Sequence, residues 1–290
     1  MHYEGNIYRP PSEGNSLIIQ VTVGCSHNKC TFCTMFKAKK FRMKPSDIIL
    51  ADLLEARSYY RHVPRIFLVD GDVLCMSTDK IIRILEDVRH VFPECERVGV
   101  YGRASQILGK SDDELVALRE LGLGIIYVGA ESGSDEVLRR VCKGESARHI
   151  IEAIQKAEKI GIKTTVLFIS GLGGREYMAE HAAKTGEMIS AMKASCVSLL
   201  TLLVDSQAPI YTDIQSGVFE MLTPLEVVEE LETILMHSNC VSETVFRSTH
   251  ASNWLALEGT LPYDKSRLLE QVRYAKTNTE ILRSEGQRRF

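Results

Sequence analysis

Short apolar, β-rich runs alternate along the chain with longer amphipathic stretches of helical period, from about residue 16 to about residue 240. Short apolar or alternating runs mark strands, and apolar positions returning every three to four residues mark helices with one buried face. The pattern predicts strands near 16–23, 65–70, 96–101, 124–129, 163–170 and 196–203. It predicts helices near 46–60, 78–91, 112–121, 147–160, 175–192 and 224–238, with a C-terminal helix over about 264–283. Strands alternating with helices form βα units, and such units build a parallel sheet covered by helices. Six units exceed an ordinary nucleotide-binding half and fall short of an eight-stranded barrel. The expected fold class is therefore α/β, a partial (β/α)6 barrel with its N-terminal lead over residues 1–240, and a C-terminal extension, 241–290, packed on it. The tail Gly286-Gln287-Arg288-Arg289-Phe290 reads as a frayed, solvated end. Ligands of parallel α/β folds bind at the carboxyl ends of the strands, so the residues after each strand carry the chemistry.

Directly after the first strand stands Cys25-Ser26-His27-Asn28-Lys29-Cys30-Thr31-Phe32-Cys33, a C-x4-C-x2-C spacing. Three thiolates on one loop are one short of the four that hold an ordinary iron–sulfur cubane, so one iron would stay open to a ligand other than protein. Two other readings use the same residues. Plant-type ferredoxins share the spacing and add a fourth Cys, and zinc sites take four Cys or His ligands. The next cysteine, Cys75, lies beyond a predicted helix and strand, and His27 is too close to its neighbours for the usual paired ligand spacing. Cys75, Cys95, Cys142, Cys196 and Cys240 are scattered singly, which suits reduced, mostly buried thiols and argues against a disulfide framework or a second cluster.

Composition narrows the partners. At 290 residues and 44% hydrophobic content the chain is long enough for a substantial core, and a net charge of -3 with mixed signs makes no case for nucleic acid or an anionic membrane. No apolar stretch approaches the ~20 residues that cross a bilayer, and the N-terminus lacks the basic and apolar regions of a signal peptide. The expectation is a cytosolic protein with a small-molecule substrate.

The cysteine segment, with Phe32 immediately before its last cysteine, resembles the C-x3-C-x-aromatic-C loop of radical S-adenosylmethionine (SAM) enzymes, with one extra residue between Cys25 and Cys30. The likeness runs along most of the chain. It implies a [4Fe-4S] cluster on Cys25, Cys30 and Cys33, whose open iron is chelated by the amino and carboxylate groups of SAM. It also implies an electron donor such as flavodoxin or ferredoxin. In that family the reduced cluster cleaves SAM to methionine and a 5′-deoxyadenosyl radical, which abstracts hydrogen from the substrate.

The later strand ends can be assigned on the same resemblance. Asp70-Gly71-Asp72 is similar to the short motif that meets the methionine ammonium; the plainer reading is a turn with solvated acids. Arg103 would meet a carboxylate or substrate and Ser105 a ribose, although Ser105 reads equally as a helix N-cap. Gly129-Ala130-Glu131-Ser132-Gly133 resembles the family's G-x-E-S-G segment, so Glu131 would accept from the SAM ribose hydroxyls or ammonium, and Ser134 reads as a helix start. Lys143 would pair with the methionine carboxylate, or is simply a solvent-exposed lysine. Phe168 and Gly171 end the fifth strand, where glycine lets backbone approach adenine. Asp205, Arg247, His250 and Asn253 would line the substrate side, unless His250 and Asn253 merely tie a capping strand to the barrel.

The short lead leaves no room for a cobalamin-binding region and no second cysteine cluster follows, so the expected chemistry is abstraction from a small substrate followed by fragmentation or rearrangement. Within the superfamily, Arg9-Pro10-Pro11-Ser12-Glu13 and Phe246-Arg247-Ser248-Thr249-His250-Ala251-Ser252-Asn253 resemble segments of related uncharacterised radical SAM proteins, and the compact single-cluster chain is similar overall to queuine lyase, a resemblance that implies queuine as substrate. A planar base would stack on Tyr101, Tyr127, Phe168 or Trp254 and present its guanidine-like edge to Asp72 or Asp205. Two alternatives stay open: a radical SAM enzyme acting on another metabolite or a peptide, and a non-enzymatic iron–sulfur or zinc protein.

Overall fold

The structure is a computed structural model that describes residues 1–289. It divides into two compact units. The first comprises Met1–Asn28, Cys33–Val128 and Lys156–Thr164; the second comprises Lys29–Phe32, Gly129–Gln155 and the chain from Thr165 onward.

The first unit opens with β1 (Leu17–Gln20) and β2 (Thr22–Val23), and β3 (Arg42–Met43) returns antiparallel to β2. There follow α1 (Ser46–Tyr59), β4 (Arg65–Val69), α2 (Thr78–Val91), β5 (Arg97–Tyr101), α3 (Ala104–Gly109), α4 (Asp112–Glu120) and β6 (Leu123–Glu131). Strands β1, β4, β5 and β6 pair in that order, all parallel. The helical period does the packing: α2 buries Ile81, Ile84, Leu85 and Val88, positions that share one face of a helix. Helix α4 starts at a capping box, where Ser111 accepts from the Glu114 amide and Glu114 accepts from the Ser111 amide. Phe67, Tyr101 and Tyr127 meet edge to face, with ring centroids 5.0 to 6.1 Å apart. The Tyr127 hydroxyl donates to Glu13 at 2.6 Å, and Arg97 pairs with the same fully buried carboxylate at 2.6 Å. The proline-containing entry thus ends in a buried acid that ties it to β5 and β6.

The second unit carries α5 (Asp135–Arg140), the start of α6 (Ala147–Ile160), β7 (Lys163–Ser170), α7 (Gly174–Met192), β8 (Cys196–Thr201), α8 (Ile210–Gln215), α9 (Pro224–His237), β9 (Thr244–Arg247), β10 (Glu258–Leu261) and α10 (Lys265–Thr277). Strand β7 pairs parallel with β8 and β8 with β9, while β10 is antiparallel to β9. Among the described residues β1 pairs only with β4 and β10 only with β9 in the large sheet, so that sheet is not closed. Helices α7 and α9 approach closely at Gly186, where a Cβ would lie 2.5 Å from the Ile234 carbonyl oxygen. Among the described residues, no helix is long and apolar enough to cross a membrane.

Two sequence expectations are corrected. The C-terminal helix ends at Thr277, and the described tail beyond it, to Arg289, is pinned rather than frayed; Phe290 lies outside the described residues. Arg283 donates to the carbonyls of His250 and Asn253 at 2.9 and 3.0 Å. Arg288 donates to the Ser252 and Leu202 carbonyls at 2.7 and 3.2 Å, and its guanidinium lies 4.1 Å from the Trp254 ring centroid. Arginine can bond several carbonyls and cover an aromatic face at once, so a polar sequence here becomes a strap. Replacing Arg288 by Ala is expected to destabilise the protein by ~2 kcal/mol through lost charge-assisted hydrogen bonds and cation–π contact. Urea unfolding measures this, and a midpoint equal to wild type would show the strap to be inert.

Candidate active site

The three cysteines lie on the irregular segment between β2 and β3, all partly exposed and none in a disulfide. Since such a segment has no ladder of its own, strand ends must satisfy its polar groups. In the first unit the β4 end does so. Asp70 accepts from the Gly24 amide at 3.0 Å, the Gln20 side chain at 3.2 Å and the Lys39 ammonium at 2.8 Å. Asp72 accepts from the Ser26 hydroxyl, and the Gly71 amide donates to the Gly24 carbonyl at 3.1 Å. The two carboxylates therefore grip the residues on either side of Cys25. Glycine is required between them, because a Cβ at Gly71 would lie 2.7 Å from the Phe36 ring and 3.1 Å from the Cys25 Cβ. The turn that sequence offered to a ligand is also the cradle of the first thiol, a role that period and composition gave no sign of.

Cys75 stands close enough to Cys25 and Asp72 for their charges to act on it. Burial first, then Asp72 and Cys25, push its thiol pKa up to about 12, and the thiol donates to the Asp72 carbonyl at 3.0 Å.

Also in the first unit, Arg103 is the N-cap residue of α3, and Ser105 sits exposed inside its first turn rather than at the cap. Tyr127 is buried with its hydroxyl committed to Glu13 and Ser12, whereas Tyr101 keeps part of its surface exposed.

In the second unit the same cysteine segment is clamped through Thr31. Its amide donates to the Val141 carbonyl and its carbonyl accepts from the Ile210 amide, each at 3.0 Å. Phe32 packs on Val137, Val141, Leu172 and Leu202. Helix α5, which starts at the Ser134 cap, ends through Cys142 in the left-handed region at φ 55°, turning Lys143 inward. Lys143 is buried, and its ammonium lies 3.0 Å from Glu131. Burial opposes the Lys143 charge, but Glu131, Cys30 and Glu145 outweigh it and hold its pKa above the ordinary lysine value. Glu131 itself sits at φ 69°, a conformation rare for a non-glycine residue and typical of functional turns. A Cβ at Gly129 would fall 2.2 Å from the Glu131 carboxylate, which explains glycine there.

Behind this turn lie two buried titratable side chains that sequence reading missed. His181 of α7 and Glu230 of α9 are completely buried, with Nε2 and Oε1 3.8 Å apart. Ser132 shares a 2.8 Å hydrogen bond with His181 Nδ1, and the Gly171 amide donates to Glu230 at 2.8 Å. Burial lowers the His181 pKa to about 4 and raises that of Glu230 to about 8. Only a helix register relative to the strand ends could have drawn attention to them.

The remaining sequence candidates are dispersed. Phe168 is fully buried, and Asn253 is spent on Thr201 Oγ1 and the Leu199 carbonyl at 2.9 and 2.7 Å. His250 bonds Ser252 at 2.8 Å, Arg247 pairs with Glu258 across the β9–β10 hairpin at 2.9 Å, and Asp205 is exposed after β8. The Asn253 bonds, with the Thr201 amide donating to Ser252 Oγ at 3.0 Å, knit this segment to β8.

The family model of the radical SAM superfamily matches residues 19–184. The chain belongs to the radical SAM superfamily. It is 27% identical over 180 residues to the threonylcarbamoyladenosine tRNA methylthiotransferase MtaB of Rickettsia prowazekii, covering 59% of this chain and 39% of that protein. To the heme chaperone HemW of Bacillus subtilis it is 21% identical over 220 residues, 73% of this chain and 56% of that one. The chain thus spans about half or less of the curated relatives it matches. Among solved structures, coproporphyrinogen III oxidase (HemN) of Escherichia coli superposes with a TM-score of 0.57 at 19% identity, over 77% of this chain and 52% of that one. Methylornithine synthase (PylB) gives 0.56 at 14% identity, over 89% and 68%. At these identities the likeness establishes the fold: this is an α/β radical SAM fold with an open, mainly parallel sheet.

The cofactors of this radical SAM chain are a [4Fe-4S] cluster and SAM. The donor set fits: three thiols outside any disulfide on one anchored segment, one short of the four that hold an ordinary cubane. Among the described residues no three His, Cys, Asp or Glu converge on a single-ion position; a cubane takes each thiolate on its own iron and does not require that convergence.

Replacing Gly71 by Ala is expected to displace Cys25 and cut iron incorporation several-fold on anaerobic reconstitution; full iron content would remove the cradle role. A second prediction concerns Glu230. Between pH 4.5, its ordinary value, and about 8, the folded protein holds a proton that the unfolded chain has released, so its contribution to stability falls as pH rises. His181 acts oppositely, its contribution falling as pH drops from 6.5 to about 4. Glu230→Gln should therefore gain on wild type as pH is raised through the first window while the acid-side loss persists. Urea unfolding at several pH values reads this, and a pH-independent difference would count against the raised pKa.

Proposed function

We propose that this protein generates a 5′-deoxyadenosyl radical from SAM and uses it to abstract hydrogen from a small, planar, purine-like base, with queuine the first candidate. The observation that carries the radical chemistry is the cysteine segment, with three thiols anchored by Asp70 and Asp72 around Cys25 and by the Thr31 clamp beside Cys30. When bound, the cluster supplies the electron that breaks the SAM sulfonium bond. Cys25, Cys30 and Cys33 would hold it. The backbone of Asp70-Gly71-Asp72 would face the methionine ammonium, since the Asp70 side chain is already engaged with Lys39, Gln20 and Gly24. Glu131, oriented by Lys143, would accept from the ribose hydroxyls or the ammonium, and the glycine turn at Gly171, with φ 82°, would let backbone approach adenine. Arg103 and Ser105 would serve the SAM or substrate side of the first unit.

Support for a planar base is narrower. Of the four aromatic faces considered, Tyr127, Phe168 and Trp254 are buried and Tyr101 is partly exposed, which makes Tyr101 the stacking candidate. Of the two carboxylates considered for the guanidine-like edge, Asp72 is buried on Ser26 and Asp205 is exposed. Cleavage would follow abstraction from the cyclopentenediol, releasing the aminomethyl deazaguanine base, with flavodoxin or ferredoxin as reductant.

The test is anaerobic reconstitution, reduction with SAM and queuine, and mass spectrometry of 5′-deoxyadenosine and the released base. Both products should appear, and Cys30→Ala should abolish both. Deoxyadenosine without base cleavage would discard queuine and leave another metabolite or a peptide as substrate. No deoxyadenosine from a loaded, reduced cluster would favour a structural or electron-transfer role.

A further inference from the structure

Two strand-end turns of the second unit, the Glu131-Ser132 turn after β6 and the Gly171 turn after β7, are held from behind by the buried His181 and Glu230 side chains. The contacts form one chain. The Ser134 amide donates to Ser132 Oγ at 3.0 Å, which leaves the Ser132 hydroxyl hydrogen for His181 Nδ1 at 2.8 Å. The ring's other nitrogen lies 3.8 Å from Glu230 Oε1, and that oxygen accepts the Gly171 amide at 2.8 Å. His181 also lies against the Ile169 backbone and Glu230 against the Ser170 side chain, but neither His181 Nε2 nor Glu230 Oε2 completes a hydrogen bond of ordinary geometry.

A pair left incompletely bonded in a dry interior is costly, and an apolar pair would fill the same gap between α7 and α9. Nor does helix packing need polar groups here. Gly186 already sets the helix approach, and Gly133 is seated against the α7 backbone, where a Cβ would lie 2.2 Å from the Lys184 carbonyl oxygen. What the dyad adds is direction. Its outer bonds end on two turns: one beside Glu131, whose φ of 69° is costly for a non-glycine residue and persists only under surrounding contacts, the other at Gly171, whose φ of 82° glycine adopts freely and whose free rotation a fixed hydrogen bond restrains.

We propose that His181 and Glu230 are positioning residues for SAM, fixing the spacing between the Glu131 turn and the Gly171 turn without touching the ligand. The proposal rests on the reading of those turns as the ribose and adenine contacts. A shift of about 1 Å in a positioning contact can cost up to ~100-fold, so the expected effect is on SAM affinity with the fold retained.

The test uses cluster-loaded protein and SAM itself, with binding followed by equilibrium dialysis, and hydrogen exchange at the Gly171 and Ser134 amides followed in parallel. Glu230→Ala and His181→Ala should each weaken SAM binding by about 10- to 100-fold with iron content unchanged. Each should also speed exchange at both turns, including the one its own side chain does not touch. Glu230→Gln keeps an acceptor for the Gly171 amide and should restore binding to near wild type; His181→Gln is the second variant should His181→Ala fail to fold. The double variant should be no worse than the weaker single, since both act through one unit. Wild-type affinity in Glu230→Ala, or a Glu230→Gln as weak as Glu230→Ala, would overturn the proposal. So would exchange that quickens only at the cut turn. Failure of wild-type protein to bind SAM would instead overturn the underlying reading of the turns.

Discussion

The cysteine segment between β2 and β3 has no regular structure, yet it must hold three thiols in fixed positions, and the structure is arranged around that constraint. The segment's own backbone cannot supply rigidity, so the ends of the strands supply it. Asp70 and Asp72 take the residues flanking Cys25, and the Thr31 backbone is bonded on both sides by Val141 and Ile210. The carboxylates cost a great deal to bury, and Asp70 offsets that with the Lys39 ammonium and two neutral donors. A strand-end acid placed to hold a loop explains why Gly71 must lie between the two acids: any side chain there would push Phe36 or Cys25 away.

The same economy of polar contacts recurs in the second unit. Lys143 would be an ordinary exposed lysine if α5 continued; the left-handed residue Cys142 ends the helix and folds the ammonium onto Glu131. The charge is then sustained in a buried setting because Glu131, Cys30 and Glu145 surround it with negative potential. Residues 248–254 and the C-terminal tail follow a similar rule, with Asn253, Arg283 and Arg288 satisfying carbonyls that no ladder reaches. Asn253, which the sequence offers to a substrate, is here engaged in holding its loop to β8.

Much of the fold was legible because it is repeated in the pattern of apolar residues. The six βα units, their order and nearly all their boundaries follow from period alone, since burying one face of each helix on a parallel sheet imposes that period. Strands β9 and β10 were not legible: Glu258-Gly259-Thr260-Leu261 has one strongly apolar residue, and it is a strand because β9 provides the hydrogen bonds. The strap formed by Arg283 and Arg288 was hidden for a related reason, since a polar tail reads as solvated until carbonyls and the Trp254 face are seen to await it.

The candidate site divides along the same line. Sequence by itself determined the three-cysteine set, its place after the first strand, and the acids and glycines at the strand ends, because metal ligation and ligand approach at strand ends demand those residue types at those spacings. Tertiary structure alone decided what each of them touches: that Asp70 and Asp72 hold the cysteine segment, that Cys75 turns its Sγ to the Asp72 carbonyl, and that Tyr127 and Asn253 are spent on buried contacts. It alone brought His181 and Glu230 together from helices more than forty residues apart in sequence. Hydrogen bonds and buried charges act over a few ångströms, and distances of that size between residues remote in sequence are set by packing, which local pattern does not encode.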